Sequence, residues 1–249
     1  MTFATYPSLA DKVVFITGGA SGIGLSLVEA FHAQGARVAF IDLQAEAGEA
    51  LSGRLAGVRF ARCDATDAEA LAASIREAAG ALGPIAVLIN NVADDTRHEA
   101  ADLSAEAWRR GLAVNLDPAF VAATAVYPMM RAAGGGVILN ISSINALLGP
   151  ADLAGYAAAK GAINALSKSL ARAWGADNIR VNALSPGWVV TERQLELWLT
   201  PRAEAEWMAQ VALKARIQPR DVARLALFLA ADDSAMITGQ NLVIDGGRT

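Results

Sequence analysis

One cysteine, Cys63, and two histidines are all that this 249-residue chain offers of the side chains that staple a fold or ligate a metal. A single thiol excludes a disulfide framework and a cysteine metal cluster, and it suits a reducing, cytoplasmic setting. His98 has no second His, Cys or clustered carboxylate at metal spacing, and His32 falls inside a helical pattern, so no metal is expected. Basic residues are not in excess: 21 Lys and Arg stand against 25 Asp and Glu, for a formal charge of −4. Nucleic-acid and anionic-membrane surfaces are basic, so neither partner is expected. Residues 1–9 lack the basic start and apolar run of a signal peptide. The charge-free stretch 132–151 has the length of a membrane span, but Gly134, Gly135, Gly136, Asn140, Ser142, Ser143, Asn145 and Pro150 would be costly in lipid. No Gly-x-Ser-x-Gly hydrolase elbow occurs, nor any internal repeat.

Although charged residues make up only 18% of the chain and aromatics 6%, hydrophobic residues reach 54%, too many for disorder. They are grouped. Runs at 13–16, 37–41, 58–61, 86–89, 136–141, 179–184 and 241–244 are apolar nearly throughout, as in strands covered on both faces. Helix-length segments at 23–34, 45–55, 68–81, 105–133, 155–174 and 219–230 lie between them, with Asp67, Ser104 and Asp221 as caps. This alternation predicts an α/β fold, a doubly wound parallel sheet of about seven strands with helices on both faces, in one domain over 1–249. Residues 191–214 interrupt the rhythm with Trp198, Trp207 and Met208. They are expected to form a lid over a substrate pocket rather than a plain pair of surface helices.

Thr17-Gly18-Gly19-Ala20-Ser21-Gly22-Ile23-Gly24 follows the first strand and opens the first helix. Its glycines do not fall as G-x-G-x-x-G, and no Lys-Ser/Thr follows to make a P-loop. The physics is still that of a helix N-terminus receiving a pyrophosphate: glycines permit close backbone approach, and free N–H groups favour the anion. Eighteen residues after Gly24, at the end of the second strand, stands Asp42. A carboxylate there can accept both ribose hydroxyls and would repel a 2′-phosphate, which points to NAD rather than NADP.

Tyr156 and Lys160 stand at i and i+4, on one helix face. A phenol of ordinary pKa, about 10, is a poor base at neutral pH, and a nearby cation stabilises its ionised form. Ser143, at a strand end, can hold a substrate oxygen beside Tyr156. Asn115, inside a helical stretch, can interrupt the hydrogen-bond ladder and hold a water. A Tyr–Lys pair at this spacing is by itself usually plain surface; the joint spacing is far more specific.

Taken together, these residues resemble those of the short-chain dehydrogenase/reductase family, over essentially the whole chain. The family's T-G-x-x-x-G-x-G turn matches Thr17, Gly18, Gly22 and Gly24, and its acidic cofactor-selecting residue matches Asp42. Its adenine-contacting Asp matches Asp64, followed by Ala65, and its catalytic Asn, Ser, Tyr and Lys match Asn115, Ser143, Tyr156 and Lys160. Its P-G-x-x-x-T segment matches Pro186, Gly187, Val189 and Thr191. The family's N-N-A-G reads Asn90-Asn91-Val92-Ala93, and the added methyl of Ala93 is expected to cause a small local shift without loss of binding.

The resemblance implies a Rossmann-type domain that transfers hydride to NAD. Tyr156 would be the general base, Lys160 would lower its pKa and hold the nicotinamide ribose, and Asn115 would sustain a proton relay through water. Gly18, Ser21, Gly22, Ile23, Gly24, Asp42, Asp64, Ala65, Asn90, Tyr156, Lys160, Val189 and Thr191 would contact the cofactor. It also implies a homotetramer, to which the helix over 155–174 adds Ala157, Ala158, Ala162 and Ala165 as a face for close contact.

A finer likeness lies in Asp94-Asp95-Thr96-Arg97-His98, and in Thr191-Glu192-Arg193-Gln194 leading to Trp198-Leu199-Thr200-Pro201. These segments are similar to bacterial NAD-dependent aldose 1-dehydrogenases, which oxidise xylose, arabinose, galactose or fucose to lactones. Polyol, deoxy-keto-acid and other secondary-alcohol dehydrogenases and acyl-carrier reductases are the alternatives within the fold; Asp42 disfavours the last, which usually use NADPH. A nucleotide-sensing binding module is the alternative outside catalysis. A sugar needs fixed polar partners from the loops at the strand ends. That rule nominates Asp94, Asn145 and Gln194 beside Ser143 and Tyr156, with Trp188 as an apolar wall.

Overall fold

Alternate side chains of the first strand, β1 (Val13–Thr17), are buried on opposite faces: Val14 and Ile16 join one hydrophobic core, Val13 and Phe15 another. A strand apolar on both faces belongs inside a sheet covered twice. The computed structural model describes residues 3–249. After β1 come α1 (Gly22–Ala33), β2 (Arg37–Asp42), α2 (Ala45–Arg54), β3 (Arg59–Arg62), α3 (Ala68–Leu82) and β4 (Val87–Asn90). Next are α4 (Ala105–Asn115), α5 (Asp117–Ala132), β5 (Gly136–Ile141), α6 (Asn145–Leu148), α7 (Ala154–Trp174) and β6 (Ile179–Pro186). The chain continues through α8 (Glu192–Leu197), α9 (Pro201–Gln210), α10 (Pro219–Ala230) and β7 (Asn241–Ile244). All seven strands are parallel, in the order β3-β2-β1-β4-β5-β6-β7, so the expected doubly wound sheet is the one observed.

Leu27, Val28 and Phe31 of α1 and Val222, Ala226 and Leu229 of α10 fill the first core. Leu71 and Ile75 of α3, Ala122 and Val126 of α5 and Leu170 of α7 fill the second. The strand order reverses between β1 and β4, which pair through Val14 with Val87 and Ile16 with Ile89. At such a point the loops leaving the two strands part to opposite sides and open a crevice at the C-terminal edge of the sheet.

Two local expectations are corrected. The single helix expected over 105–133 is broken at Leu116, where φ is −127° and ψ −54°, into α4 and α5. Pro118 explains the break: its ring would collide with the carbonyl four residues back, and it restricts the residue before it. Asp221 is not the first cap of α10; Gln218 is, and Asp221 returns from the first turn to accept the Gln218 N–H at 2.9 Å. Asp67 and Ser104 do cap α3 and α4, each accepting first-turn amides.

Candidate active site

The reactive pair is delivered by α7, which lies against the end of β5. Ser142 Oγ donates to the Lys160 carbonyl at 3.0 Å, and Lys160 Nζ donates to the Ile141 carbonyl at 2.8 Å. Lys160 is only 2% exposed, and its Nζ stands 5.5 Å from the centre of the Tyr156 ring. Burial pushes the lysine pKa down to about 8, and the negative charge of Asp95 partly opposes that fall. Burial likewise drives the Tyr156 phenol above its ordinary value; the Ser143 hydroxyl pulls it back, and Asp95 pushes it further up. The expectation of a phenol that ionises below the free value is therefore corrected for the protein alone. The cost of a desolvated phenolate outweighs what its neighbours return, with the Lys160 ammonium engaged by a backbone carbonyl.

Ser143 lies two residues past β5 and is buried, its Oγ fixed by the Asn145 N–H at 3.1 Å. Asn145 thus contributes its backbone to the orientation of Ser143, while its side chain is half-buried at the start of α6. Asn115 ends α4. Its Nδ2 donates to the Gly111 and Asp94 carbonyls, both at 3.0 Å, and its Oδ1 accepts the Asp94 N–H at 2.9 Å. The amide expected to hold a water instead clamps the backbone of the loop after β4. A cavity of about 10 Å³ lies among Asn115, Lys160, Asn90 and Thr17, about the room one water needs. Asn90, whose Nδ2 donates to Asn140 Oδ1 at 2.8 Å, lines this cavity, and its buried Oδ1 finds no partner among the described residues.

The other end of the crevice is built from backbone. Gly22 has φ +54°, a region that favours glycine, and a methyl group placed on Gly24 would lie 1.8 Å from the Gly18 carbonyl oxygen. Ser21 precedes α1, but its hydroxyl makes no bond to the first turn. The amides of Gly22, Ile23 and Gly24 therefore suit an anion, as a dinucleotide pyrophosphate requires. Asp42, at the end of β2, accepts the Ala20 N–H at 2.9 Å and the Gln44 N–H at 3.0 Å, one on each oxygen. Both oxygens keep further acceptor capacity for ribose hydroxyls. Asn91 ties β4 to the turn by donating from Nδ2 to the Gly18 carbonyl at 2.8 Å. Ala93, two residues on, is exposed.

Ala65 is buried beside Asp64, whose carboxylate accepts the amide and hydroxyl of Thr66 and is held below the usual carboxylate range by those bonds. Val189 is buried and bridged to Ile217, and the Thr191 methyl would lie 3.2 Å from a side chain on Gly22.

A network of side chains joins the loop after β4 to the segment around α8. Trp188 Nε1 donates to Gln194 Oε1 at 2.6 Å, Gln194 Nε2 donates to Asp95 Oδ2 at 2.6 Å, and Arg193 Nε donates to Asp95 Oδ1 at 3.2 Å. Trp188 meets Trp207 of α9 edge-on at 5.6 Å, and the Arg97 guanidinium lies over Trp198 at 4.7 Å. Trp188, nominated as an apolar wall, thus spends its indole N–H on Gln194.

Asp94, nominated as a polar partner, turns one oxygen toward its own loop. Its Oδ1 accepts the Thr96 N–H at 3.0 Å and hydroxyl at 2.6 Å in a local turn, and its side chain is 51% exposed. Asp95, one residue on, instead bonds across to Gln194 and Arg193 of α8. A signal was available: Asp-x-Thr forms such turns, and Asp64 with Thr66 makes the same pair of bonds. For Arg193 no local signal exists.

Comparison with known proteins agrees with this geometry. A family model described as enoyl-(acyl carrier protein) reductase matches residues 18–249. The chain is 45% identical over 247 residues to a protein of Rhizobium meliloti (strain 1021) named "Probable galactose dehydrogenase GalD", covering 97% of this chain and 96% of that one. It is 43% identical over 251 residues to D-xylose 1-dehydrogenase of Caulobacter vibrioides (strain NA1000 / CB15N), covering 99% of each. A solved structure of 7 alpha-hydroxysteroid dehydrogenase, complexed with NADH and 7-oxo glycochenodeoxycholic acid, superposes with a TM-score of 0.94 at 30% identity, covering 99% of this chain and 98% of that one.

Proposed function

The chain belongs to the short-chain dehydrogenase/reductase family, and on that premise we propose that it oxidises the C1 hydroxyl of an aldose to the lactone with NAD. The observation that carries the sugar reading is the polar wall: a carboxylate, a carboxamide and an indole N–H, joined to one another, on the loop that Asn115 clamps and the helix facing it. Galactose and xylose dehydrogenases among the relatives support the same substrate class.

Ser143 Oγ donates a hydrogen bond to the substrate oxygen, and Tyr156, ionised, takes the hydroxyl proton as the C1–H bond breaks. NAD, when bound, supplies the acceptor for the hydride and, in its oxidised form, a positive charge. Lys160 holds the ribose side and passes the proton onward by way of the small cavity at Asn115 and Asn90. The turn amides of Gly22, Ile23 and Gly24 hold the pyrophosphate, Asp42 the adenosine ribose, and Asp64 with Ala65 the adenine. The α8–α9 segment acts as the lid. The working form is a homotetramer in the cytoplasm. α7 leaves Ala158 and Ala165 exposed, and beside it lies a hollow of about 530 Å³ lined by Phe120, Val121, Ala162 and Leu166, which a second copy would cover.

The test follows the absorbance of reduced nicotinamide while wild-type protein meets NAD or NADP and a panel of aldoses, polyols, apolar alcohols and 3-oxoacyl thioesters. Aldose oxidation with NAD is expected. Turnover confined to apolar alcohols or acyl thioesters would overturn the sugar reading, and NAD binding with no turnover of anything would make the protein a nucleotide-binding module.

A further inference from the structure

We propose that Asp95 is the residue by which this enzyme selects a polyhydroxylated substrate: its carboxylate, held across the cleft by Gln194 and Arg193, accepts a substrate hydroxyl other than the one being oxidised. The inference rests on the sugar reading above and deepens it.

Geometry separates Asp95 from every other acid near the site. Asp94, its neighbour, turns Oδ1 back to Thr96 and is half open to solvent, where a hydroxyl gains little over water. Asp152 is paired with Arg97 at 2.9 Å. Asp42 lies at the end of β2, on the glycine turn. The Asp95 side chain is 27% exposed, so it is enclosed but still reachable. Its loop is pinned one residue earlier, at the Asp94 backbone, by Asn115 of the reactive set, and α8 meets it from the other side through Gln194 and Arg193, so it stands between those two elements.

Its bonding state suits the task. Oδ2 accepts from Gln194 and Oδ1 from Arg193, while a carboxylate has about four acceptor positions, so roughly half its capacity is unspent. Gln194 keeps one acceptor position on Oε1 and one hydrogen on Nε2, but it is neutral, and a hydroxyl bonds an ionised carboxylate about twice as strongly. The bonds come from a separate element, α8, so the carboxylate is fixed before substrate arrives and loses little freedom on binding. An enclosed acceptor left without a donor rejects substrates that lack the hydroxyl more strongly than a loose pocket rejects a wrong shape.

The test pairs the enzyme with sugars that lack one hydroxyl each. Wild-type and Asp95→Asn proteins are compared on the best aldose of the panel and on its monodeoxy analogues at positions other than C1, at saturating NAD. For wild type, one analogue is expected to lose about 10- to 100-fold in kcat/KM. Asp95→Asn should lose a similar factor on the parent sugar and nothing further on that same analogue, because the contact is already gone. A variant that keeps wild-type efficiency on the parent overturns the proposal. So does a variant that loses the same further factor as wild type on each analogue. The wild-type series is a check that needs no mutant to fold: if removing any single hydroxyl costs less than about threefold, no enclosed acceptor reads it. Wild-type protein inert to every aldose overturns the sugar reading and Asp95 together; wild-type turnover with an indifferent Asp95→Asn overturns Asp95 alone.

Discussion

The two arms of the crevice are made by different means. Residues 17–44 build the cofactor arm almost entirely from backbone: a turn closed on itself at Gly18 and Gly24, uncapped first-turn amides, and a carboxylate bonded to main-chain N–H groups. The arm proposed to meet substrate is built from side chains, and the bonds that tie its two halves join residues 98 and 99 positions apart. Backbone packed to contact distance tolerates almost no change, whereas a lattice of side chains can be cut one bond at a time. One arm is thus set by sterics and the other is adjustable, which is what an enzyme needs to keep a cofactor and change a substrate.

Between the arms stands Tyr156, and its loss should have the largest effect. Tyr156→Phe keeps the ring and removes the proton acceptor, so turnover should fall by about 10²- to 10⁴-fold. Calorimetric titration should find NAD still bound, since residues 17–44 are untouched. The steric claim is tested by Gly24→Ala, whose methyl would sit 1.8 Å from the Gly18 carbonyl oxygen. Urea unfolding should show a loss of about 3 kcal/mol or more, with NAD affinity lost as well. A variant with wild-type stability would show that the turn is as adjustable as the other arm.

Lys160 makes the junction sensitive to pH. Its pKa falls from 10.5 to about 8 on folding, so below pH 8 both states carry the proton and the burial cost is fully present. Above pH 8 the unfolded chain still binds a proton that the native state has released, and stability rises with pH, by at most about 1.4 kcal/mol per unit. The raised Tyr156 phenol acts with the opposite sign once the unfolded phenol ionises, near its ordinary 10.0. The cofactor-free enzyme should therefore gain stability between about pH 8 and 10, a gain that Lys160→Met removes in denaturant titrations at each pH.

The smaller effects belong to the adjustable arm. Gln194→Ala strands the Trp188 indole N–H and frees one Asp95 oxygen, and should raise the sugar KM by about 1–2 kcal/mol with NAD affinity unaltered. Equal losses for sugar and NAD would erase the division between the arms. Arg193→Ala should cost least, within about 1 kcal/mol on KM, because the guanidinium is 52% exposed and its pairing with Asp94 and Asp95 is screened.

The sequence by itself determined the seven strands, their coverage on both faces and the glycine turn with Asp42, because periodicity and backbone sterics act over a few residues. The Tyr156–Lys160 pair was readable for the same reason: i and i+4 share a helix face whatever surrounds it. The helix break at Leu116 was also local, written in Pro118 and overlooked for the apolar run around it. Only the tertiary structure separates the surroundings of Asp94 and Asp95. Adjacent and chemically identical, they differ in whether the carboxylate turns back to Thr96 or across to Gln194, and Gln194 is 99 residues away. The direction of the Tyr156 and Lys160 shifts was decided there as well, because desolvation is the work of every atom that closes over a group and is not a property of the group's neighbours in the chain.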